Sequence, residues 1–215
     1  MTQDQAVQAG PKGGATDPPI VAFDFDGTLT IRDSYTAFLK WRAGRVRYAW
    51  GLIRLAPAAL SYVFHRDRGR IKAAATREFL KGATRQTLEA QARQFAEQHS
   101  RSLFRPDAVA AWRRWRNDRV RLVIVTASPD LVVAPFARGL GADGLIGTEL
   151  AFDAGDRATG AFATPNCRGS EKVRRLQAAY GPDVVIKAAY GDTAGDREMI
   201  AAAEIPGYQV FKGKP

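Results

Sequence analysis

Three short apolar runs, each ending in polar residues, constrain the fold more than any other feature of this sequence. They read "IVAFDFD" (20–26), "RVRLVIVTAS" (119–128) and "DVVIKAAYGD" (183–192). Runs of this length and Val/Ile content indicate buried strands, and helical patterns separate them. Strands that alternate with helices predict an α/β fold, with a parallel sheet and helices on both of its faces.

The spacing of these runs also predicts how the chain is divided. Residues 35–100 show helical periodicity without a convincing strand, and they are too many for a single crossover connection. We therefore predict an α-helical cap domain at 35–100, inserted into a Rossmann-like core formed by 19–34 and 101–215. Residues 1–18 are rich in Gly, Pro, Gln, Ala and Thr, and are predicted to be a disordered tail rather than a signal peptide.

Several local patterns refine the predicted core. The stretch "DGLIGTELAFDAGDRATGAFAT" predicts a short strand followed by a polar hairpin, and "GYQVFKG" (207–213) predicts a final strand. The stretch "GSEKVRRLQAAYG" predicts a helix that has Ser170 as its N-cap and ends at Gly181.

The positive charge of the chain is concentrated in one segment. Its 32 Lys and Arg residues exceed its 22 acidic residues by ten, and residues 40–85 alone hold twelve basic and two acidic residues. The remainder is balanced, which argues against a general nucleic-acid-binding surface. A basic nucleic-acid-binding protein with an idle site is a further alternative, because Trp112 and Trp115 lie among arginines. We expect these two tryptophans instead to pack a helix on the sheet, and we expect no nucleic-acid partner.

Polar side chains fall at the ends of the predicted strands, where parallel sheets collect their ligands. They are Asp24 and Asp26 after the first strand, Thr126 in the second and Asp192 after the third, while Lys172 begins the preceding helix. Carboxylates grouped so closely are tolerable around a hard divalent cation such as Mg²⁺. A carboxylate can also attack phosphorus and form an aspartyl-phosphate, with a lysine and a hydroxyl binding the phosphoryl oxygens.

In this order, "DFDGT", "VT", a lone lysine and "GDTAGD" resemble the motifs of the haloacid dehalogenase-like hydrolases, most of which are Mg²⁺-dependent phosphatases. The resemblance covers nearly all of residues 20–212. It implies that Asp24 is the nucleophile and that Asp26 is the general acid and base, with Thr126 and Lys172 as further catalytic residues. The metal ligands that it implies are Asp24, Asp26 (through its backbone carbonyl), Asp192 and Asp196, and the predicted substrate contacts are Gly27, Asp33, Ser128 and Arg168.

The position of the cap is similar to that in the phosphoserine-phosphatase-like subfamily. Asp33 stands where those enzymes use a Glu to bind the amino group of the substrate, and it is shorter by one methylene. The Met, Phe and Arg pattern associated with phosphoserine recognition is not evident in "RIKAAATREFLKG". The cap placement and "NCRGSEK" (166–172) are also similar to the C-type phosphatidylglycerophosphate phosphatases, which makes Arg168 an additional phosphate contact.

The cap contains a segment suited to a membrane surface. Residues 46–64, "VRYAWGLIRLAPAALSYVF", are aromatic and aliphatic, but Arg54 and Pro57 make them a poor membrane span. Apolar surface ringed by Lys and Arg suits an anionic bilayer. The alternative is a buried cap core with a solvated basic rim. The flanking basic residues are Arg42, Arg45, Arg47, Arg66, Arg68, Arg70 and Lys72.

These patterns lead to one functional hypothesis and one main alternative. We expect a Mg²⁺-dependent phosphatase that acts on a lipid phosphate, such as phosphatidylglycerophosphate, at the inner face of the membrane. The alternative substrate is a small soluble phosphomonoester such as phosphoserine. The single cysteine, Cys167, rules out an internal disulfide and fits a cytoplasmic protein, peripheral to the membrane. The oligomeric state stays open.

Overall fold

The computed structural model describes residues 17–65 and 68–215, with the side chains of 57–65 and of Arg68 left out of the description. The predicted disordered tail, residues 1–18, lies outside the described residues except for its last two positions. It stays a prediction.

Five parallel strands form the central sheet, as the sequence predicts. Their order across the sheet is β3-β2-β1-β6-β7. The strand β1 pairs with β2 on one side and β6 on the other, so Ala22 lies beside both Val123 and Ala189. Because the chain changes sides around β1, the carboxyl end of β1 is the switch point where such sheets bind ligands. The strands are β1 (Ile20–Phe23), β2 (Arg121–Pro129), β3 (Gly144–Thr148), β6 (Ile186–Gly191) and β7 (Ile205–Tyr208).

A separate antiparallel hairpin, β4 (Leu150–Phe152) and β5 (Ala158–Phe162), follows β3. The predicted short strand and hairpin are therefore confirmed. The helices are α1 (Ser34–His65), α2 (Arg68–Leu80), α3 (Arg85–Leu103), α4 (Pro106–Trp115), α5 (Asp130–Leu140), α6 (Ser170–Tyr180) and α7 (Arg197–Ala201).

Helices cover both faces of the sheet because alternate strand residues point to opposite sides. Val21 and Phe23 of β1 belong to the core that packs on α3, α4 and α5. Ala22 belongs to the second core, on the side of α6 and α7. Trp112 packs its ring 5.1 Å from that of Phe23, and Trp115 Nε1 donates a hydrogen bond to a sheet tyrosine. The prediction that these tryptophans pack a helix on the sheet is confirmed.

The helices α1 to α3 are joined to the sheet through a short neck. Thr30 and Phe104 form an antiparallel bridge there. The backbone N–H of Ile31 donates to the carbonyl of Leu103, and that of Arg105 to the carbonyl of Leu29, both at 2.8 Å. The neck lies just outside the predicted limits of the cap, residues 35 and 100, and the division into two domains stays a prediction.

Two local predictions are wrong. The final strand covers Ile205–Tyr208 rather than 207–213, because Gln209 has a positive φ of 54° that turns the chain out of the sheet. The N-cap of α6 is Gly169, with a φ of 64°, and not Ser170, which is the first helical residue. Backbone geometry sets both boundaries.

The helix α1 presents two different sides beyond a break at Gly44. Tyr48 stacks on Phe79 of α2, with 5.2 Å between ring centroids. On the opposite side, Val46, Trp50 and Ile53 are 73%, 60% and 62% exposed. Across the described parts of the chain, no helix has the length and apolar character needed to cross a bilayer.

Two of the predicted flanking arginines hold α1 on α2. Arg42 donates to the carbonyl of Phe79 at 2.6 Å, and Arg47 pairs with Glu78 at 2.6 Å. Arg45 is exposed. Arg66 and the side chain of Arg68 lie outside the described residues.

Candidate active site

All of the predicted site residues line one cavity at the carboxyl end of the sheet, beneath α1 and α2. The cavity has a volume of about 500 Å³. The predicted residues that the structure brings together there are Asp24, Asp26, Gly27, Asp33, Thr126, Ser128, Arg168, Lys172, Asp192 and Asp196. Their individual roles stay predictions.

Lys172 is the central cation of this site. It is only 1% exposed, and its Nζ lies 2.6 Å from Asp24 Oδ1 and 2.7 Å from Asp196 Oδ1. It also donates to the carbonyl of Val125 at 2.6 Å, which uses all three ammonium hydrogens. Burial alone would lower the pKa of Lys172, but the two carboxylates outweigh it and raise that pKa above its usual range. Lys172 is therefore charged and fixed in place.

The carboxylates around Lys172 fit a divalent cation. Asp24, Asp192 and Asp196 each offer an oxygen, and these oxygens lie within 4.8 Å of one another. Burial raises the pKa of Asp24 to about 7, with Lys172 opposing it and Asp196 adding to it. Burial, followed by the charge of Asp196, also raises the pKa of Asp192. This excess of negative charge among hard oxygen donors is what Mg²⁺ would relieve, so the residues fit the predicted cofactor.

Asp196 differs from the other two acids of this group. Burial would raise the pKa of Asp196, but the charge and hydrogen bond of Lys172, with hydrogen bonds from Thr193, lower it. Its Oδ2 accepts from the backbone N–H of Thr193 at 2.9 Å and from the hydroxyl at 2.8 Å. Both oxygens are therefore already oriented by protein groups.

The Asp26 carboxyl group lies apart from the three-carboxylate group. Its Oδ1 accepts from the backbone N–H of Ser34 at 2.6 Å, and its Oδ2 accepts from Ser128 Oγ at 2.5 Å. Burial raises the pKa of Asp26, the charge of Asp33 adds to this, and the two serines oppose it. A held carboxyl group with a raised pKa suits proton transfer. Ser128, predicted as a substrate contact, here orients Asp26.

Two buried threonines place hydroxyl groups at the site, Thr126 in the cavity lining and Thr28 beside two of the carboxylates. Thr126 is buried inside β2, and its Oγ1 accepts from the backbone N–H of Ser128 at 3.0 Å, which leaves the hydroxyl free to donate. Thr28, which the sequence reasoning missed, lies 3.4 Å from both Asp24 Oδ2 and Asp192 Oδ1. Its place inside the "DFDGT" motif is the signal that could have found it.

Gly27 permits the close approach of the first and last motifs. Its φ is 84°, and a Cβ at this position would lie 2.2 Å from Asp192 Oδ2, so a side chain is excluded.

Arg105, which the sequence did not predict, donates from Nε to the Gly27 carbonyl at 3.0 Å and from Nη1 to the Gly213 carbonyl at 3.0 Å. No sequence pattern predicts the contact with Gly27, because Arg105 lies 78 residues from it along the chain.

The α1 and α2 side of the cavity contains charged residues of both signs. Asp33 Oδ1 accepts from the backbone N–H of Thr36 at 2.6 Å, so this predicted substrate contact also caps α1. Arg168 lies instead beside the strand ends, where it packs against Gly195, and a Cβ at Gly195 would lie 2.5 Å from its side chain. Lys72, predicted to belong to the basic flank of the membrane segment, lines the cavity instead and donates to the carbonyl of Ala127 at 2.5 Å.

Comparison with known proteins decides the family. The model of the haloacid dehalogenase-like hydrolase family matches residues 21–201. The chain belongs to this family. The predicted family and enzyme class, a hydrolase, are thereby confirmed. A curated relative in this comparison, Protein CicA of Caulobacter vibrioides, is 60% identical over 199 residues, which cover 93% of this chain and 89% of the relative.

Solved structures agree with a haloacid dehalogenase-like fold. A Bordetella pertussis Tohama I protein of unknown function superposes with a TM-score of 0.73 at 22% identity, covering 89% of each chain. A substrate-bound phosphoserine phosphatase superposes with a TM-score of 0.60 at 17% identity, covering 90% of this chain and 86% of the other. At these identities the likeness establishes the fold, including the predicted Rossmann-like sheet. The narrower resemblance to C-type phosphatidylglycerophosphate phosphatases stays a prediction.

Proposed function

We propose that this haloacid dehalogenase-like hydrolase is a phosphomonoester phosphatase that works through an aspartyl-phosphate on Asp24. The observation that carries the proposal is the contact of Lys172 with Asp24 and Asp196, inside a carboxylate group that fits a divalent cation. A buried, charged lysine beside a carboxylate can hold the nucleophile in place and offset negative charge on a phosphoryl group.

In the first step, a carboxylate oxygen of Asp24 attacks phosphorus, and the bond from phosphorus to the alcohol oxygen breaks. Lys172 holds the other carboxylate oxygen and offsets charge on the phosphoryl group, while the Thr126 hydroxyl donates to a phosphoryl oxygen. Asp26 gives its proton to the departing alcohol oxygen. Bound by Asp24, Asp192 and Asp196, Mg²⁺ would supply further positive charge against the phosphoryl oxygens.

In the second step, Asp26 acts as a base. It takes a proton from a water molecule whose oxygen attacks the phosphorus of the aspartyl-phosphate. The bond from phosphorus to Asp24 breaks, which releases orthophosphate and restores the free carboxylate. The hydrogen bonds from Ser34 and Ser128 keep the Asp26 carboxyl group oriented through both steps.

The direct test is a screen of lipid phosphates and small phosphoesters with Mg²⁺, in which the release of orthophosphate is measured. Asp24→Asn should lose turnover while remaining folded, because an amide is a far weaker nucleophile. Asp118→Asn, at an exposed carboxylate outside the cavity lining, is the matched control and should keep full activity. Chelation should abolish activity, and Mg²⁺ should restore it better than Ca²⁺. Full activity in Asp24→Asn would refute the mechanism.

We further propose that the substrate is a lipid phosphate, such as phosphatidylglycerophosphate, reached at the anionic inner surface of the membrane. The exposed Val46, Trp50 and Ile53 support this, because they form one apolar side of α1 with the exposed Arg45 nearby. An interfacial helix needs such an apolar side beside basic residues. The alternative, a small soluble phosphomonoester such as phosphoserine, is supported by the position of the cavity beneath α1 and α2 and by Asp33 in its lining.

A further inference from the structure

A second lysine lies in the cavity, and the mechanism above does not use it. Lys72 of α2 is half-buried, and its Nζ donates to the carbonyl of Ala127 at 2.5 Å. The same Nζ lies 5.5 Å from the centroid of the Tyr35 ring. Burial lowers the pKa of Lys72, while the charges of Asp26, Asp33 and Asp24 oppose this. Lys72 lines the same cavity as the predicted catalytic acids Asp24 and Asp26.

The backbone around Lys72 is fixed by buried hydrogen bonds. Thr76 Oγ1 donates to the carbonyl of Lys72 at 2.8 Å, and the same hydroxyl lies 2.7 Å from the Tyr35 hydroxyl. Tyr35 and Thr76 are both buried, so this turn of α2 is tied to the start of α1. The Lys72 side chain is therefore aimed at the cavity by contacts that do not depend on a ligand.

The two cavity lysines differ in the capacity that they leave for a ligand. Lys172 uses its three hydrogens on Asp24, Asp196 and Val125. Lys72 uses one of its three on Ala127, which is the residue directly after the predicted phosphoryl contact Thr126. Among the residues that the structure describes, two donors of Lys72 thus remain for a group that lies next to the phosphoryl position.

We infer that Lys72 is a specificity-determining residue that binds a second anionic group, carried by the alcohol part of the phosphomonoester. The inference rests on the proposed phosphatase function. A charge-assisted hydrogen bond in a partly desolvated site is strong and selective. The apolar lining next to Lys72, from Leu39, Ile71 and Ala75, lowers the local dielectric constant, which strengthens the attraction between the ammonium group and an anion.

One anionic chemistry could reach Lys72 from two sources. A lipid such as phosphatidylglycerophosphate carries a phosphodiester next to its phosphomonoester, whereas a small phosphorylated acid carries a carboxylate. Both place a negative charge a few bonds from the phosphorus that Asp24 attacks. The opposing view is that Lys72 only holds α2 against the Ala127 carbonyl.

Steady-state kinetics of Lys72→Gln separate these views. The substrates are 4-nitrophenyl phosphate without a second anion, 3-phosphoglycerate with a carboxylate, and phosphatidylglycerophosphate in detergent micelles with a phosphodiester. We expect kcat/KM to fall about 10- to 100-fold through KM for the substrate or substrates whose second anion binds, as expected for losing one hydrogen bond to a charged group. For 4-nitrophenyl phosphate it should change less than about twofold. Lys72→Arg should retain the preference, and Lys40→Gln, an exposed lysine of α1, should change nothing.

Each outcome decides the inference. A selective loss with the carboxylate or the phosphodiester supports it and identifies the source, whereas an equal loss on all three substrates shows a structural contact only. A wild-type enzyme that hydrolyses none of a broad set of phosphoesters would instead refute the proposed phosphatase. If Lys72→Gln does not fold, inhibition of the wild-type enzyme decides: phosphonoacetate should inhibit more strongly than methylphosphonate, and equal inhibition would overturn the inference.

Discussion

The two sides of the cavity are built in different ways. The side formed by the strand ends, which we call the sheet wall, contains Asp24, Lys172 and Asp196, whose charged groups are buried and bound to one another. The side formed by α1 and α2, the helix wall, mixes apolar residues with Asp33 and Lys72, and among the described residues it leaves two hydrogens of Lys72 without an acceptor. This difference indicates that the residues for the chemical step and the residues that select the substrate lie on separate walls of the cavity. A rigid sheet wall can then face a more adaptable helix wall.

The largest effect should follow from breaking the sheet wall at Lys172. Lys172→Met would leave two buried carboxylates without their cation, which costs about 3–5 kcal/mol when one partner of a buried pair is removed. Activity should be lost. Denaturant unfolding should show a lower free energy of unfolding than in the wild-type protein, and this difference should shrink at acid pH, where the carboxylates become protonated. Arg174→Met, two residues along α6, changes an ion pair whose arginine is 63% exposed; it is the control and should leave stability nearly unchanged. Equal losses of activity and stability in the two variants would contradict the view that the buried carboxylates of the sheet wall depend on Lys172.

A smaller but still large effect is expected for proton transfer by Asp26. Asp26→Asn should lower kcat by about 10²–10⁴-fold, the usual contribution of a general acid and base. The amide oxygen can still accept from the backbone N–H of Ser34, and the amide NH2 group can donate to Ser128 Oγ, so the fold should persist. Rapid-quench measurements should show that formation of the phosphoryl-enzyme slows more with an alkyl phosphate than with 4-nitrophenyl phosphate, whose leaving group needs no proton. Equal slowing with both would exclude Asp26 as the acid.

The charge of the sheet wall should also be visible in pH-dependent stability. The pKa of Asp24 is about 7 in the metal-free fold, against about 3.9 for an unfolded aspartate, so the native state binds more protons between these values. This group therefore favours folding at low pH, and its contribution is lost as pH rises from about 4 to 7. The thermal midpoint should rise more on adding Mg²⁺ at pH 8 than at pH 5. Asp24→Asn should make the rise of the thermal midpoint with Mg²⁺ more similar at the two pH values. If the rise still differs as much as in the wild-type protein, Asp24 is not the group that causes it.

The smallest effect on catalysis should come from the outer surface of α1. Trp50→Ala should weaken sedimentation with anionic vesicles and turnover of a lipid phosphate, while hydrolysis of a soluble phosphoester stays the same. Arg45→Gln should weaken vesicle binding chiefly at low salt, since one basic residue contributes about 1 kcal/mol that salt screens. If the wild-type protein stays in the supernatant with strongly anionic vesicles at low salt, the membrane proposal is wrong. A soluble substrate then becomes the better proposal.

The sheet wall could be predicted from sequence because its residues follow short apolar runs in fixed motifs. Asp24 and Asp192 directly follow strands that pair in the sheet, so the strand order alone brings the two side chains together. Lys72 could not be predicted, because it lies among several basic residues of α2 and sequence does not tell which one turns inward. Arg105 escaped for a different reason, since its contact with Gly27 depends on how the neck closes. The end of β7 escaped because an ordinary glutamine, Gln209, adopts a left-handed conformation that residue type does not predict.

The neck at Thr30 and Phe104 has a consequence for how such proteins diversify. Closing a loop costs an entropy that rises only with the logarithm of its length, about 0.6 kcal/mol for each doubling. The neck already holds the two ends of the inserted segment together. Insertions or deletions between these ends therefore cost the sheet little stability. The helix α3 limits this freedom, because Phe95 packs 5.9 Å from Phe136 of α5. The helix α2 is limited as well, because a Cβ at Gly160 of β5 would lie 2.8 Å from Arg77 Cα. The stretch of α1 beyond Gly44 is therefore the part that evolution can exchange most easily while the sheet wall stays unchanged.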